Sequence, residues 1–392
     1  MTKRFVLFFS LIAFVALASA QISGNGFYRV KNAATSRYVY VCDNTGSLDY
    51  ANMSADMGAI QLWRDCATTN HLTNPAAVIY YKCAQVVSAT EEVGNLQAQG
   101  TSVYDIIGHY VSIKGNASTN KYQVYATSEG IVKYLDDETT STRKDQGVVG
   151  TDNTGTYRMW NVHPMNQTDN YLGVEPTISA NGKFYAPYYI AFPFSFYSSG
   201  MKAYYVSTVD KKRALAVMKE VTGTIPGALP VIIECASAAP VNNKLTLTMG
   251  TFTAPTDNKL LGVYFSNPDR AKSASAKRKY YPEVMRVLGL TAEGKLGYIT
   301  ATNDMLNLCN DNYCLLANQS YLLVDSNAPA ELTLITEAEY RNILADIVDV
   351  DGSSDKAVDA YYTLNGQELS APVKGVNIVK YKDGTTEKRY IR

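Results

Sequence analysis

"GFYRVKNAATSRYVYVCDN", Gly26–Asn44, sets the class of the fold. Apolar and polar residues alternate in "FYRV" and again in "RYVYV". The small polar run between them is turn material, so the stretch predicts two strands joined by a turn. The same grammar recurs in "HYVSIK", "YQVYAT" and "KAYYVSTV". Two shorter stretches punctuate it, "GAIQLWRDC" at Gly58–Cys66 and "TYRMWNV" at Thr156–Val162. They carry the only two Trp of the chain, Trp63 and Trp160. The 30 Tyr point the same way, because aromatic side chains suit a pleated, half-buried surface. One helix signal stands apart, "TEAEYRNILADI" from Thr336. Thr336 is a natural N-cap, and Glu339 three residues on makes a capping box. Many short strands and almost no helix predict a mainly β chain of barrels and sandwiches.

The N-terminal end carries an address. Lys3 and Arg4 precede the apolar run "FVLFFSLIAFVALA", and Ala18-Ser19-Ala20 follows. Positive start, short apolar core and A-x-A make a secretory signal over residues 1–20, with the mature chain expected from Gln21. The run is shorter than the ~20 residues of a spanning helix, and no other stretch is apolar enough to cross a bilayer. Without Lys3 and Arg4 the chain holds 34 basic and 36 acidic side chains, a net charge of −2. No basic surplus exists to neutralise phosphates, so nucleic acid is not an expected partner.

The first expected domain spans 21–164. A strand, a turn, the "RYVYV" strand and then Gln61-Leu62-Trp63 resemble one repeat of a ricin-type β-trefoil, whose hallmark is Q-x-W. The resemblance implies that Trp63 and Trp160 close the first and last repeats and that Gln61 ties down local backbone. The last copy departs from the pattern, reading Arg158-Met159-Trp160, and the middle stretch "HYVSIKGNASTNKYQVYAT" has no Trp. A trefoil-like barrel is the expectation, with another small β-barrel or sandwich as the alternative. The resemblance further implies a disulfide between Cys42 and Cys66 and a sugar-binding carboxylate near Asp43; Asp43 also reads simply as the start of the turn "CDNTG".

The second expected domain spans 165–330. Its "YAPYY", "AYYV", "GTIPGALPV" and "ANQSYL" resemble, in that order, a β-rich module common in exported proteins of Bacteroidota. A sandwich-like module is expected, with "MRVLGLTAEGKLGYITA" as a hairpin turning at Gly294. The third, 331–392, holds the helix and a C-terminal β-module. There Tyr362–Leu369 reads Y-x-L-x-G-Q-x-L, and Gly375–Val379 reads G-V-x-I-V. This pattern resembles the C-terminal sorting domain of type IX secretion, and implies export machinery as a partner and a secreted or outer-membrane destination. A helix and an acidic turn stand where that family has further strands, so a purely structural relative, left in the periplasm, is the alternative.

Motifs for chemistry are scarce. Gly289 to Lys295 has the G-x-x-x-x-G-K spacing, but Leu296 follows where Mg²⁺ chemistry needs Ser or Thr, and a strand follows where the phosphate needs a helix. Asp349, Asp351 and Asp355 lack the partners of a Ca²⁺ loop. His71, His109 and His163 form no metal or catalytic motif. Asp136, Asp137 and Glu138 in "YLDDE" read as a solvated acidic loop. Cys309 and Cys314 flank the turn-forming "NDNY" and are disulfide candidates, while Cys83 and Cys235 are expected as free thiols. Reduced cysteines throughout are the alternative.

No catalytic residue, metal site or cofactor is therefore expected. The functional expectation is a secreted or surface binding protein without catalytic activity, with a glycan or a host or surface protein as ligand. A structural or adhesive surface component is the alternative, and a hydrolase with an unrecognised carboxylate pair the third reading.

Overall fold

The structure is a computed structural model. It describes residues 22, 24–40, 61–62, 71–98, 110–128, 131–137, 148–150, 154–263, 279–309, 312–346 and 357–391. It is mainly β, as expected, with one α-helix among the described residues.

The first ten strands are β1 Gly26–Asn32, β2 Val39–Tyr40, β3 Gln61–Leu62, β4 Ile79–Ser88, β5 Glu91–Ala98, β6 Tyr110–Asn116, β7 Lys121–Ser128, β8 Ile131–Asp136, β9 Val148–Gly150 and β10 Trp160–Pro164. Neighbours pair in the order β1, β4, β5, β6, β7, β10, and β10 returns to β1. The ring closes where Trp160 meets Tyr122 on one side and Asn32 on the other. Hairpin β2–β3 lies between β1 and β4, and hairpin β8–β9 between β7 and β10. Six barrel strands with hairpins inserted in this way are the β-trefoil plan. The alternation read from the sequence is the reason the ring has an inside. Tyr28 and Val30, Val111 and Ile113, and Tyr122 and Val124 each sit two apart and are all buried. Trp160 is fully buried among them, and its indole N–H donates to the Leu135 carbonyl at 3.1 Å. The packing leaves a void of only about 20 Å³. That is room for about one water, so the barrel is a core and not a ligand chamber.

The middle of the chain forms a ten-stranded sheet. Its spatial order is Ile178–Ala180, Lys183–Tyr188, Val231–Cys235, Lys202–Asp210, Leu215–Val221, Glu331–Thr336, Leu296–Ile299, Met285–Leu290, Gln319–Leu323 and Leu260–Val263. The sheet folds over on itself. Tyr185, Val206 and Ile232 from one half share a core with Leu260, Leu288, Tyr298 and Leu322 from the other. On the outer face of the first half lies a three-stranded sheet of Leu172–Gly173, Lys244–Leu247 and Phe194–Phe196. The core beneath it also takes in Val78, Phe27 and Tyr80 of the trefoil. The Phe27 ring meets Phe192 edge-on at 5.2 Å. The chain therefore passes Pro164 with no break in hydrophobic packing between the barrel and the three-stranded sheet.

The helix is Glu337–Asp346, with the capping box in place. The Glu339 carboxylate accepts from the Thr336 N–H at 2.7 Å, and the Thr336 hydroxyl accepts from the Glu339 N–H at 3.3 Å. The last sheet orders Glu368–Leu369, Val358–Tyr362, Gly375–Tyr381 and Thr386–Ile391. The alternation in "NIVKYKDGTTEKRYI" and its Asp383-Gly384 pair predict a hairpin that turns at these two residues and buries Ile391, and the final turn does sit at Asp383-Gly384. Gly384 has φ +83° and donates to the Tyr381 carbonyl, which gives a three-residue loop and not the two-residue form. The same arrangement turns the hairpins at Gly294 and Gly366. Ile391 is half-buried, whereas the alternation predicts it buried; Val379 and Tyr381 are the closed positions.

Candidate functional site

A cleft of about 310 Å³ opens where the trefoil meets the three-stranded sheet. Its walls come from Gln97 on β5 and from three loops, Ala191–Pro193, Pro226–Ala228 and Met249–Phe252. The loops are held by backbone bonds. Phe194 and Ile225 exchange N–H···O bonds of 3.0 and 2.7 Å, Ala228 donates to the Ile190 carbonyl, and Thr248 donates to the Pro193 carbonyl. Pro193 and Pro226 have no N–H to leave stranded at these bends. Gly250 has φ +142°, and a side chain there would meet the Phe252 ring at 3.3 Å. The missing Cβ thus lets the ring lie against the backbone.

The cleft is apolar and aromatic. Phe192 is buried at its base, while Phe252 and Met249 remain 37% and 39% exposed. The polar groups that line it are the side chains of Gln97 and Thr251 and the loop backbone. No charged side chain lines it. The lining thus offers an apolar ring face beside a few hydrogen-bonding groups. The size lies at the low end of the roughly 300–1,000 Å³ usual for small-molecule sites.

Sequence reading missed the cleft as a site, although one wall lies inside a motif it singled out. Pro226 to Ala228 belong to "GTIPGALPV", whose two prolines mark the bend. The residues that the ricin-type resemblance implicates fall elsewhere. Asp43, Trp63, Cys42 and Cys66 lie outside the described residues, as do Glu138, His109 and the Asp349–Asp355 stretch. Gln61 lies in β3, with Tyr40 as its strand partner. Cys309 and Cys314 sit on one hairpin, opposite Asn312 and Asn307; Cys314 is buried, and the Cys309 side chain is outside the described residues. Cys314 is in no disulfide, so the expected Cys309–Cys314 pairing is not formed; Cys83 and Cys235 carry free thiols, and burial pushes the Cys235 thiol up to about 12.

The acidic run requires a correction. Asp136 and Asp137 are not in a solvated loop; they are 4% and 0% exposed. Arg158 Nε donates to Asp136 Oδ2 at 2.9 Å, and Arg37 Nε to Asp137 Oδ2 at 2.9 Å, with the Thr35 hydroxyl also on Asp137. The two arginines come from residues 22 and 100 positions away, so nothing local in "YLDDE" announces them. Both carboxylates are committed to holding the barrel end. Arg158 stands where the resemblance has Gln, and its charge is matched by Asp136.

Tyr38 and His71 stack at 4.3 Å. Burial, then Arg29 and Lys31, lowers the His71 imidazole to about 4, so it is neutral at physiological pH. Among the described residues no three or more His, Cys, Asp or Glu gather as a metal site would need.

No family model and no curated protein matches the chain. Among solved structures it is similar to one described as "Structure and mode of action of a mosquitocidal holotoxin", at 11% identity and a TM-score of 0.25. The match covers 93% of this chain and 42% of that one, so the chain spans less than half its length. A likeness at that score carries no argument.

Proposed function

We propose that this chain is an exported, non-catalytic binding protein that takes a glycan in the cleft between its trefoil and the three-stranded sheet. The observation that carries the reading is the cleft itself. It pairs an exposed Phe252 ring with a few polar groups and no titratable one. Sugars present apolar C–H faces ringed by hydroxyls, and such ligands are held by aromatic faces plus a small number of fixed hydrogen-bonding groups. Export is the part of the reading that rests on the leader and on the C-terminal module.

The test is a glycan array probed with the mature chain, followed by calorimetry on any hit. Phe252→Ala removes the exposed ring and is expected to weaken binding about tenfold or more, the equivalent of about 1.4 kcal/mol of stacking and burial. Equal binding by the variant moves the site away from the cleft. An array with no glycan retained overturns the ligand class. Hydrolysis of labelled polysaccharide by the purified chain overturns the non-catalytic reading.

A further inference from the structure

The loops that build the cleft carry more hydrogen-bond donors than they use. The N–H groups of Phe192, Gly227, Gly250 and Thr251 donate to no backbone carbonyl among the described residues. Phe192 is the telling one, because the residue is only 6% exposed. A buried N–H without an acceptor is rare and costly, and a bound ligand with a carbonyl oxygen can satisfy it.

Beside these donors lies a small apolar corner. Ala191, Pro193, Pro226 and Ala228 line the cleft together with Phe192. Their two loops meet backbone to backbone. A Cβ on Gly227 would come within 2.2 Å of the Ala191 carbonyl oxygen and 3.0 Å of Pro193 Cδ. Glycine at 227 therefore lets the loops close with no side chain between them, and the corner is walled by methyl and pyrrolidine groups. The Phe252 ring, part of the same lining, keeps an exposed face for stacking.

We infer that the cleft selects glycans that carry an N-acetylated amino sugar. The inference rests on the glycan reading above and narrows its ligand. A plain hexose presents hydroxyls, which donate as well as accept and gain nothing from a small apolar corner. An acetamido group presents a carbonyl oxygen, which only accepts, and a methyl group that is better out of water. The carbonyl takes the spare N–H groups, the methyl takes the corner of Ala191, Pro193 and Ala228, and the pyranose ring lies on Phe252. Each part of such a sugar meets a group that the protein itself leaves unmatched.

The experiment starts from the glycan array probed with the mature chain, where the retained glycans are expected to carry N-acetylglucosamine or N-acetylgalactosamine. The tightest of them is then titrated beside its counterpart with a hydroxyl in place of the acetamido group. The acetamido form should bind about tenfold or more tighter, the gain from one buried methyl and one hydrogen bond. Titration of deuterated, ¹⁵N-labelled protein gives the location: the Phe192 and Gly227 amides should shift with the acetamido form and hold still with its counterpart. Ala191→Val fills the corner and should cut the preference at least threefold; if that variant does not fold, the amide shifts of the parent decide. Retained glycans without an acetamido group, or equal affinities across the matched pair, overturn the inference and leave the glycan reading standing. An acetamido preference that leaves the Phe192 and Gly227 amides unmoved also overturns it, because the selection then happens outside this corner. An array that retains nothing overturns both readings together.

Discussion

Arg158→Gln restores the residue that the Q-x-W pattern prefers, and the structure requires it to be harmful. Arg158 and Asp136 have side chains 9% and 6% exposed and form an ion pair at 2.9 Å. Removing one partner of such a pair costs about 3–5 kcal/mol, because the other charge stays buried. The Gln amide can return one neutral hydrogen bond to Asp136, worth about 0.5–1.5 kcal/mol. The net expectation is a loss of about 2–4 kcal/mol, a 30- to 700-fold fall (roughly) in the folding equilibrium of the barrel. The assay is urea denaturation of the mature chain, followed by tryptophan emission. Trp160, two residues on and fully buried, reports barrel opening by a red shift. Adding Asp136→Asn removes the stranded charge, and the double variant should recover at least half of the loss. A single variant as stable as the parent, or a double variant no better than the single, refutes the reasoning.

Two further outcomes depend on named groups. His71 is held neutral by burial and by Arg29 and Lys31. In the unfolded chain an imidazole with an ordinary pKa near 6.5 takes up a proton first, so this contribution to stability is full above about pH 6.5 and is lost as pH falls toward 4. The barrel's urea midpoint should drop through that window, and His71→Gln should flatten the drop; the same slope in both proteins counts against it. Deleting Glu387–Arg392 removes most of the last strand and leaves Gly375–Tyr381 as a raw sheet edge beside Val379 and Tyr381. If the C-terminal module directs export, the truncated chain should fold its first two domains yet accumulate in the periplasm on cell fractionation. Unchanged surface display refutes the sorting role.

The mainly β class, the capped helix from Thr336, and the hairpin turns at Gly294 and Gly384 were readable along the chain. Each depends on residues within a few positions of one another: an alternation of two, a Thr and Glu three apart, a glycine that accepts positive φ. Trp160 as a core residue was readable too, through a resemblance whose Q-x-W is half missing. Only the tertiary structure decided that "YLDD" is buried. Arg37 and Arg158 neutralise its two carboxylates from distant strands, and a run of acids looks solvated until its partners are known. The cleft was hidden for the same reason. Gln97, Phe192, Pro226 and Phe252 converge only because Phe27, Tyr80 and Val78 pack into the core of the next sheet, and no local pattern encodes that docking. Short-range chemistry is written in short stretches of sequence; charge balance and cavities arise from which strands meet, and closing the barrel is what determines that.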